Sequence, residues 1–305
     1  MQPMTVVIGT RNRGDRVVRT VSTIVASDHP SWSLHIVDQS HDERTAHAIA
    51  PLLSDQRIHY HRSETVGVAT ARNVGIAAAT TELVAITDDD CEVAPDWLAE
   101  IERAFALDPR IAIVFGNALP GPHDSHAGFM PAYQTCEPVL ARSLRDKNRV
   151  QGVGASMAIR RSCWLALGGF DETLGAGARL RSAEETDLTI RALRAGWLVY
   201  ETPRVRVTHH GFYPWALHGT VMARYWYGTG AAFARSFTAH PVAIGGVLVG
   251  LAGRWVAGTS GVALSPTARP HRLARLASFA RGFVAGLVAP RRPATAAAAL
   301  KRAAA

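Results

Sequence analysis

Three consecutive aspartates, Asp88, Asp89 and Asp90, follow the apolar run Leu83 to Ile86 and Thr87, and no other stretch limits the fold as tightly. A short apolar run bounded by polar residues reads as a buried strand. The carboxylates then emerge at its end, where open α/β sheets place their ligands. Three like charges this close raise one another's pKa values unless a cation or a ring of donors offsets them. Hard oxygen ligands suit Mg²⁺ or Mn²⁺, ions commonly held by one or two carboxylates together with substrate phosphates. The triplet points to a metal-nucleotide enzyme, although a solvated turn after a strand would carry the same letters.

The surrounding pattern says what kind of sheet holds that strand. Strand-like runs at Thr5 to Ile8, Ser33 to Val37, Ile58 to His61 and Leu83 to Ile86 alternate with helical stretches at Asp15 to Ala26, Ala69 to Ala79 and Pro95 to Leu107. Strands separated by helices of that length predict a mostly parallel, three-layer α/β sandwich. The first strand is followed by neither GxGxxG nor a lysine-bearing phosphate loop, which argues against a dinucleotide enzyme and a P-loop NTPase. It ends instead in the polar turn Gly9 to Gly14, able to hydrogen-bond a base. The second strand ends in Asp38-Gln39-Ser40, where Asp38 is either a ligand or the cap of the following segment.

Further along, Ile111 to Asn117 predicts another strand, followed by an irregular segment to Val150 that reads as a loop or lid. Residues 152–160 place small residues before an apolar-polar alternation, as where backbone approaches a ligand. Arg161 to Gly168 reads as a short helix. Ala183 to Ala195 reads as a helix with Glu184, Glu185 and Asp187 in its first turn, where acids complement the helix dipole and also make a platform for a general base. Pro203 to His209 predicts a strand ending in His209-His210.

Taken in this order and spacing, the segments VVIGTRNR, VDQS, GVATARNVGI, TDDDCEVAPDWL, GVGASMAIRRSCWLALGGFDETLG, SAEETDLTIRAL and THH resemble those of family 2 glycosyltransferases of the GT-A fold, over roughly residues 4 to 235. The resemblance implies a sugar-nucleotide donor and a Mn²⁺ or Mg²⁺ cofactor. It places Thr10, Asn12 and Asp38 around the base, with Arg72 facing the same pocket. Asp88 would approach the ribose, Asp89 would orient the sugar, Asp90 would bind the metal bridging the diphosphate, and His209 would add a second metal contact. Catalysis in such enzymes inverts the anomeric centre by one base. The resemblance assigns that role to Glu185, with Glu184 and Asp187 orienting the site, although Asp is usual at the position of Glu185. Processive synthases of this kind carry a QxxRW element and membrane spans after the acidic segment. Neither follows here, which implies a single transfer per encounter. The implied division is a catalytic domain over residues 1–235, with a nucleotide-sugar half at 1–117 and an acceptor half at 118–235, and a helical extension at 236–305.

Charge sets that extension apart. All 25 acids lie within residues 1–201, whereas residues 202–305 hold 13 of the 33 lysines and arginines and no acid. Such an end suits an anionic membrane surface, an anionic substrate or nucleic acid. No nucleic-acid reader module accompanies the charge, so nucleic acid is not expected as a partner. Residues 270–289 read as an amphipathic interfacial helix, and residues 241–253 are apolar but short for a span. Residues from Pro290 onward read as a frayed tail. Three widely spaced cysteines, Cys91, Cys136 and Cys163, form neither a disulfide framework nor a zinc spacing and suit a reducing compartment. No basic segment followed by an apolar one opens the chain. These features predict a cytoplasmic protein, peripheral at the inner face of the cell membrane, and the resemblance implies a glycan or lipid-linked glycan acceptor; the oligomeric state, monomer or homodimer, is left open. Competing functions are a catalytically inactive glycan-binding or scaffold protein, a sugar-phosphate nucleotidyltransferase, and a hydrolase using paired carboxylates.

Overall fold

The computed structural model describes residues 1–257 and 272–290. In chain order the elements are β1 (Met4–Thr10), α1 (Arg16–Val25), β2 (Trp32–Asp38), α2 (Arg44–Ile49), β3 (Ile58–Arg62), α3 (Val68–Ala78), β4 (Leu83–Asp88), β5 (Cys91–Val93), α4 (Trp97–Ala106) and β6 (Ile111–Pro120). There follow β7 (Gly128–Phe129), β8 (Val139–Ala141), β9 (Met157–Arg160), α5 (Arg161–Leu167), α6 (Glu184–Arg194), β10 (Leu198–His209), β11 (Tyr213–Pro214), α7 (His218–Phe237), α8 (Pro241–Ala257) and α9 (Arg272–Val288).

The main sheet runs β3-β2-β1-β4-β9-β6-β10-β5, with β8 also paired to β10. Its first four strands are parallel. Strand β9 inserts antiparallel between β4 and β6, and β10 returns parallel to β6. The parallel strands are apolar almost throughout because helices cover both faces. On one face Val17, Val21 and Ile24 of α1, spaced for one side of a helix, join Trp97 and Ile101 of α4. On the other, Ala69 and Ile76 of α3 pack with Trp164 of α5 and Leu188 of α6. Trp97 and Trp164 are fully buried, one per face, and truncating either to alanine would cost on the order of 3–5 kcal/mol. Gly75 lets α3 lie close on β1: a Cβ there would stand 2.4 Å from Val7 Cγ1.

The expected elements form, α2, α7 and α8 join them, and three further differences bear on the site. Strand β10 starts at Leu198, earlier than the Pro203 start read from sequence, because the chain pairs on both sides of a register shift between Glu201 and Arg206. Pro203 lies inside that irregularity, where a residue without an N–H breaks no ladder. The segment expected to be irregular to Val150 contains β7, paired with β11, and β8, paired with β10. Strand β5, only three residues long, pairs His209 with Cys91 and thereby ties the aspartate turn to the end of β10.

The carboxyl-terminal helices are built onto this body. Helix α7 packs on α6, and α9 runs along α7. Their approach is close: a Cβ at Gly282 would stand 1.8 Å from the Tyr227 carbonyl oxygen. The helix expected at 270–289 therefore has one face covered by protein. Buried Arg235 of α7 lies 3.2 Å from Asp171 and donates to Thr173 Oγ1 (2.6 Å), fixing α7 to the loop before α6. Among the described residues no helix is long and apolar enough to cross a membrane. Apart from Pro290, the predicted tail lies outside the described residues.

Candidate active site

Strand β4 delivers the aspartates to the carboxyl edge of the parallel strands, with Asp88 in register with Gly9 of β1. Asp89 is buried and accepts a hydrogen bond from Thr10 Oγ1 (2.7 Å). The Arg13 guanidinium lies 3.6 Å from Asp89 and 3.5 Å from Asp90. Burial pushes the Asp89 carboxyl up to about 6, against the pull of Arg13 and Thr10. At Asp90 burial also opposes ionisation, but His209, with Nε2 3.4 Å from Oδ1, and Arg13 outweigh it and hold the carboxyl below its ordinary range. At His209 burial disfavours the charged ring, and the Asp90 carboxylate overcomes this and raises its pKa.

One oxygen of Asp90, the Cys91 sulfur and one His209 ring nitrogen lie within 4.8 Å of one another. Burial drives the Cys91 thiol well above its ordinary range, so it stays a protonated, core-facing group. A carboxylate and an imidazole suit Mn²⁺ better than a thiolate-seeking ion. Gly211 keeps the position open: a Cβ there would stand 2.8 Å from His209 Nε2 and 3.2 Å from Asp90 Oδ2. Donor set and cradle fit a divalent cation.

Across from this turn, α6 presents its acids from a strained start. Arg181 (φ 75°) and Ala183 (φ 70°) both adopt the left-handed region, uncommon for residues with a Cβ and characteristic of functional loops. Glu184 is buried. Glu185 keeps a solvent-facing edge, yet lies deep enough that burial, reinforced by the Glu184 charge, pushes its carboxyl up to about 8. The link between the two halves is Arg72, 3% exposed, which donates to Glu184 Oε1 (2.6 Å) and Asp88 Oδ1 (2.9 Å). Gly154 makes room for it, since a Cβ there would come within 2.5 Å of both guanidinium Nη atoms. All these groups open on one cleft of about 2190 Å³, whose far wall includes Tyr225, Trp226 and Phe233 of α7.

The expected residues divide into two groups. Thr10, Arg72, Asp88, Asp89, Asp90, Glu184, Glu185 and His209 line the cleft. Asn12 and Asp38 do not. Asn12 (φ 56°) holds the turn after β1, donating its N–H to Ser40 Oγ and accepting from the His41 N–H. It lines a smaller, arginine-rich cavity of about 730 Å³ instead. Asp38 is fully buried and accepts from the Ser40 N–H (2.8 Å) and Tyr60 Oη (2.7 Å); its neighbour Gln39 reaches the cleft. Asp187 turns away as well. It pairs with Arg191 (2.7 Å), whose other nitrogens donate to the Leu167 and Gly169 carbonyls, so it anchors α6 and does not face the cleft.

A family model described as "Glycosyl transferase family 2" matches residues 5–162, just over half of the chain. The chain belongs to glycosyl transferase family 2. A curated relative, the pre-mycofactocin glycosyltransferase of Mycobacterium tuberculosis, is 29% identical over 221 residues, 68% of this chain but only 42% of that protein. The chain thus spans less than half of that relative's length. The glucosyl-dolichyl phosphate glucuronosyltransferase of Haloferax volcanii is 24% identical over 218 residues, 68% of this chain and 69% of that protein. Among solved structures, a mannosyltransferase from Pyrobaculum calidifontis in complex with GDP-Man and Mn²⁺ superposes with a TM-score of 0.64 at 22% identity, covering 99% of this chain and 79% of that one. S. aureus TarS 1-349 in complex with UDP-GlcNAc gives 0.55 at 15% identity, covering 76% and 66%. These neighbours establish the GT-A fold.

Within this family 2 member, several residues on or behind the cleft wall carry little sequence signal. Arg13 and Gln39 sit inside turns that the sequence marks, and adjacency to Asn12 and Asp38 is their only signal. Lys147, buried on the cleft wall and donating to the Val150 carbonyl (3.1 Å), lies in a stretch with no pattern at all. Glu201, buried in β10, accepts from the Tyr133 hydroxyl and from the Gln151 and Gly152 N–H groups (both 2.9 Å), fixing the segment that roofs the cleft.

Proposed function

We propose that this family 2 protein is a metal-dependent inverting glycosyltransferase that moves one sugar from a nucleoside-diphosphate donor to a hydroxyl of a glycan, lipid-linked acceptor. Residues 1–235 carry catalysis in this reading, and the later helices support it. The observation that carries it is a single cleft holding two acid groups with separate tasks, the Asp88–Asp90 turn and the Glu184–Glu185 helix start, joined through Arg72. A Mn²⁺ or Mg²⁺ ion held by Asp90 and His209 would supply charge stabilisation for the departing diphosphate. Glu185 would accept the proton of the attacking acceptor hydroxyl, and a carboxyl poised near working pH suits that task. Glu184, fixed by Arg72, holds the helix start in place and keeps Glu185 basic by its own charge. Thr10 and Arg13 orient the aspartate turn, and Gln39 offers an amide on the nucleotide side. The donor complexes of the structural neighbours support a sugar nucleotide as the class of donor.

One feature favours a second reading, an inactive glycan-binding protein: a Glu185 carboxyl raised to about 8 is largely protonated at neutral pH. Calorimetry with a panel of nucleoside diphosphates, with and without Mn²⁺, on wild type and Asp90→Ala, tests the donor site. Metal-dependent binding of one nucleotide, lost in Asp90→Ala, is expected; no binding to folded protein refutes the transferase. Turnover with the matching sugar nucleotide then separates an active enzyme from a binding protein.

A further inference from the structure

Helix α8 has no polar side chain from Pro241 to Gly253. It buries Ile244 and Val247 in a cluster with Phe233 of α7, against which Phe279 and Phe283 of α9 also pack. Its opposite side faces out, with Val242 89% and Val249 74% exposed. Helix α9 repeats the arrangement. Leu273, Leu276, Val284, Leu287 and Val288 are exposed, and Arg281 is the only polar residue among its exposed, described positions. Exposed apolar faces of this extent on neighbouring helices mark an interaction surface.

We propose that these two faces dock on an anionic lipid bilayer. Charge selects that occupant. The short helical turn Leu144–Arg149 packs against α8, with Asn148 Nδ2 donating to the Val247 carbonyl (2.7 Å), and it brings exposed Arg142, Arg145 and Arg149 beside the apolar face. Its one acid, Asp146, accepts from the Arg142 and Ser143 N–H groups and lies 3.5 Å from Arg149, so Arg142 and Arg145 keep the net positive charge of the turn. Exposed Arg281 of α9 adds to them, and neither α8 nor α9 carries an acid. A second copy would bring the same cations against them, whereas anionic headgroups complement them and acyl chains accept the valines and leucines. The catalytic cleft reaches this surface, because Leu251 of α8 and Leu273 and Leu276 of α9 line it together with Glu185. An acceptor whose apolar tail stays in the bilayer would thus reach Glu185 with its hydroxyl, a consequence that rests on the transferase reading above.

Vesicle flotation of the full chain tests the surface. Phosphatidylcholine vesicles are compared with equimolar phosphatidylcholine–phosphatidylglycerol vesicles, alongside nucleotide calorimetry. Wild type should partition onto the anionic vesicles at least about tenfold better than onto the neutral ones, and each arginine removed from Arg142, Arg145 and Arg149 should weaken this about fivefold. The double variant Val249→Glu/Val284→Glu should lose partitioning while keeping its circular dichroism and nucleotide binding. Absence of partitioning by folded wild type, equal binding to both vesicles, or unchanged binding of the double variant overturns the proposal. So does a dimer in light scattering that the double variant abolishes, which would assign the face to a second copy. Nucleotide binding in the same samples reads the donor site separately, so failure of docking and failure of the transferase reading are distinguishable.

Discussion

Replacing Glu185 with glutamine should make the fold more stable and the enzyme inactive. The carboxyl rises from an ordinary 4.5 to about 8 because burial and the Glu184 charge both penalise its ionised form. The folded chain therefore holds that proton more tightly than the unfolded chain. Between pH 4.5 and 8 unfolding releases it, so the Glu185 contribution to stability falls as pH rises and is flat above 8. At one pKa unit per 1.36 kcal/mol the full cost at high pH is at most on the order of 5 kcal/mol, and local relaxation reduces it. Glutamine keeps the shape and has no proton to lose. Thermal melts of wild type and variant from pH 6 to 9 isolate the effect, since Asp89, raised to about 6, titrates mainly below that window and His209, whose pKa is raised, is common to both proteins. Glu185→Gln should match wild type near pH 6 within about 1–2 kcal/mol and exceed it by a further ~2 kcal/mol at pH 9. Loss of the base should lower turnover by about 10²–10⁴-fold. A difference in melting temperature that does not change with pH would refute the electrostatic argument, and retained turnover would refute the assignment of the base.

Arg13→Gln should tighten Mn²⁺ binding severalfold in calorimetry without nucleotide, because the guanidinium beside Asp89 and Asp90 competes for the same carboxylates; unchanged affinity would mean the arginine does not shield that turn. Arg72→Met leaves Asp88 and Glu184 without their buried partner and should cost about 3–5 kcal/mol in chemical denaturation; an unchanged midpoint would mean that the two ion pairs add nothing to the fold. Gly282→Val drives a side chain into the Tyr227 carbonyl, so α9 must shift off α7; a loss of about 1–3 kcal/mol and faster proteolytic cleavage near α9 are expected.

Apolar runs and helix periodicities made the sandwich legible, because buried parallel strands and one-sided helices leave their pattern in single letters. The aspartate turn and the Glu184–Glu185 helix start were legible for the same reason: each sits at the end of a recognisable element. Two expected residues lie off the cleft because of local hydrogen bonding. Asp38 carries the right letter at the right strand end, yet the Ser40 N–H and the Tyr60 hydroxyl already engage its carboxylate, and Gln39 takes the cleft-facing position. Asp187 shares a helix turn with Glu184 and Glu185, but its direction around the helix sends it to Arg191. Arg72 was assigned to the cleft from sequence, while its contact with Glu184 spans 112 residues, a separation that no local pattern encodes.

The charge pattern of the cleft explains why so acidic a site holds together before any donor arrives. Asp88 and Glu184 share Arg72, and Asp89 and Asp90 share Arg13. The two arginines differ in kind. Arg72 is buried and bonded at both ends, so it is a fixed strut between the aspartate turn and the start of α6. Arg13 is about one-third exposed and more than 3.4 Å from either carboxylate, a looser contact that a divalent ion at Asp90 and His209 can replace. Released from the aspartates, its guanidinium remains on the cleft wall, where it suits a diphosphate that is bringing negative charge in. Arg13→Gln should therefore separate two affinities that move together in most binding-site variants: Mn²⁺ alone binds more tightly, and nucleoside diphosphate with saturating Mn²⁺ binds more weakly. Both affinities falling, or both rising, would show that Arg13 only neutralises the turn and takes no part in holding the donor.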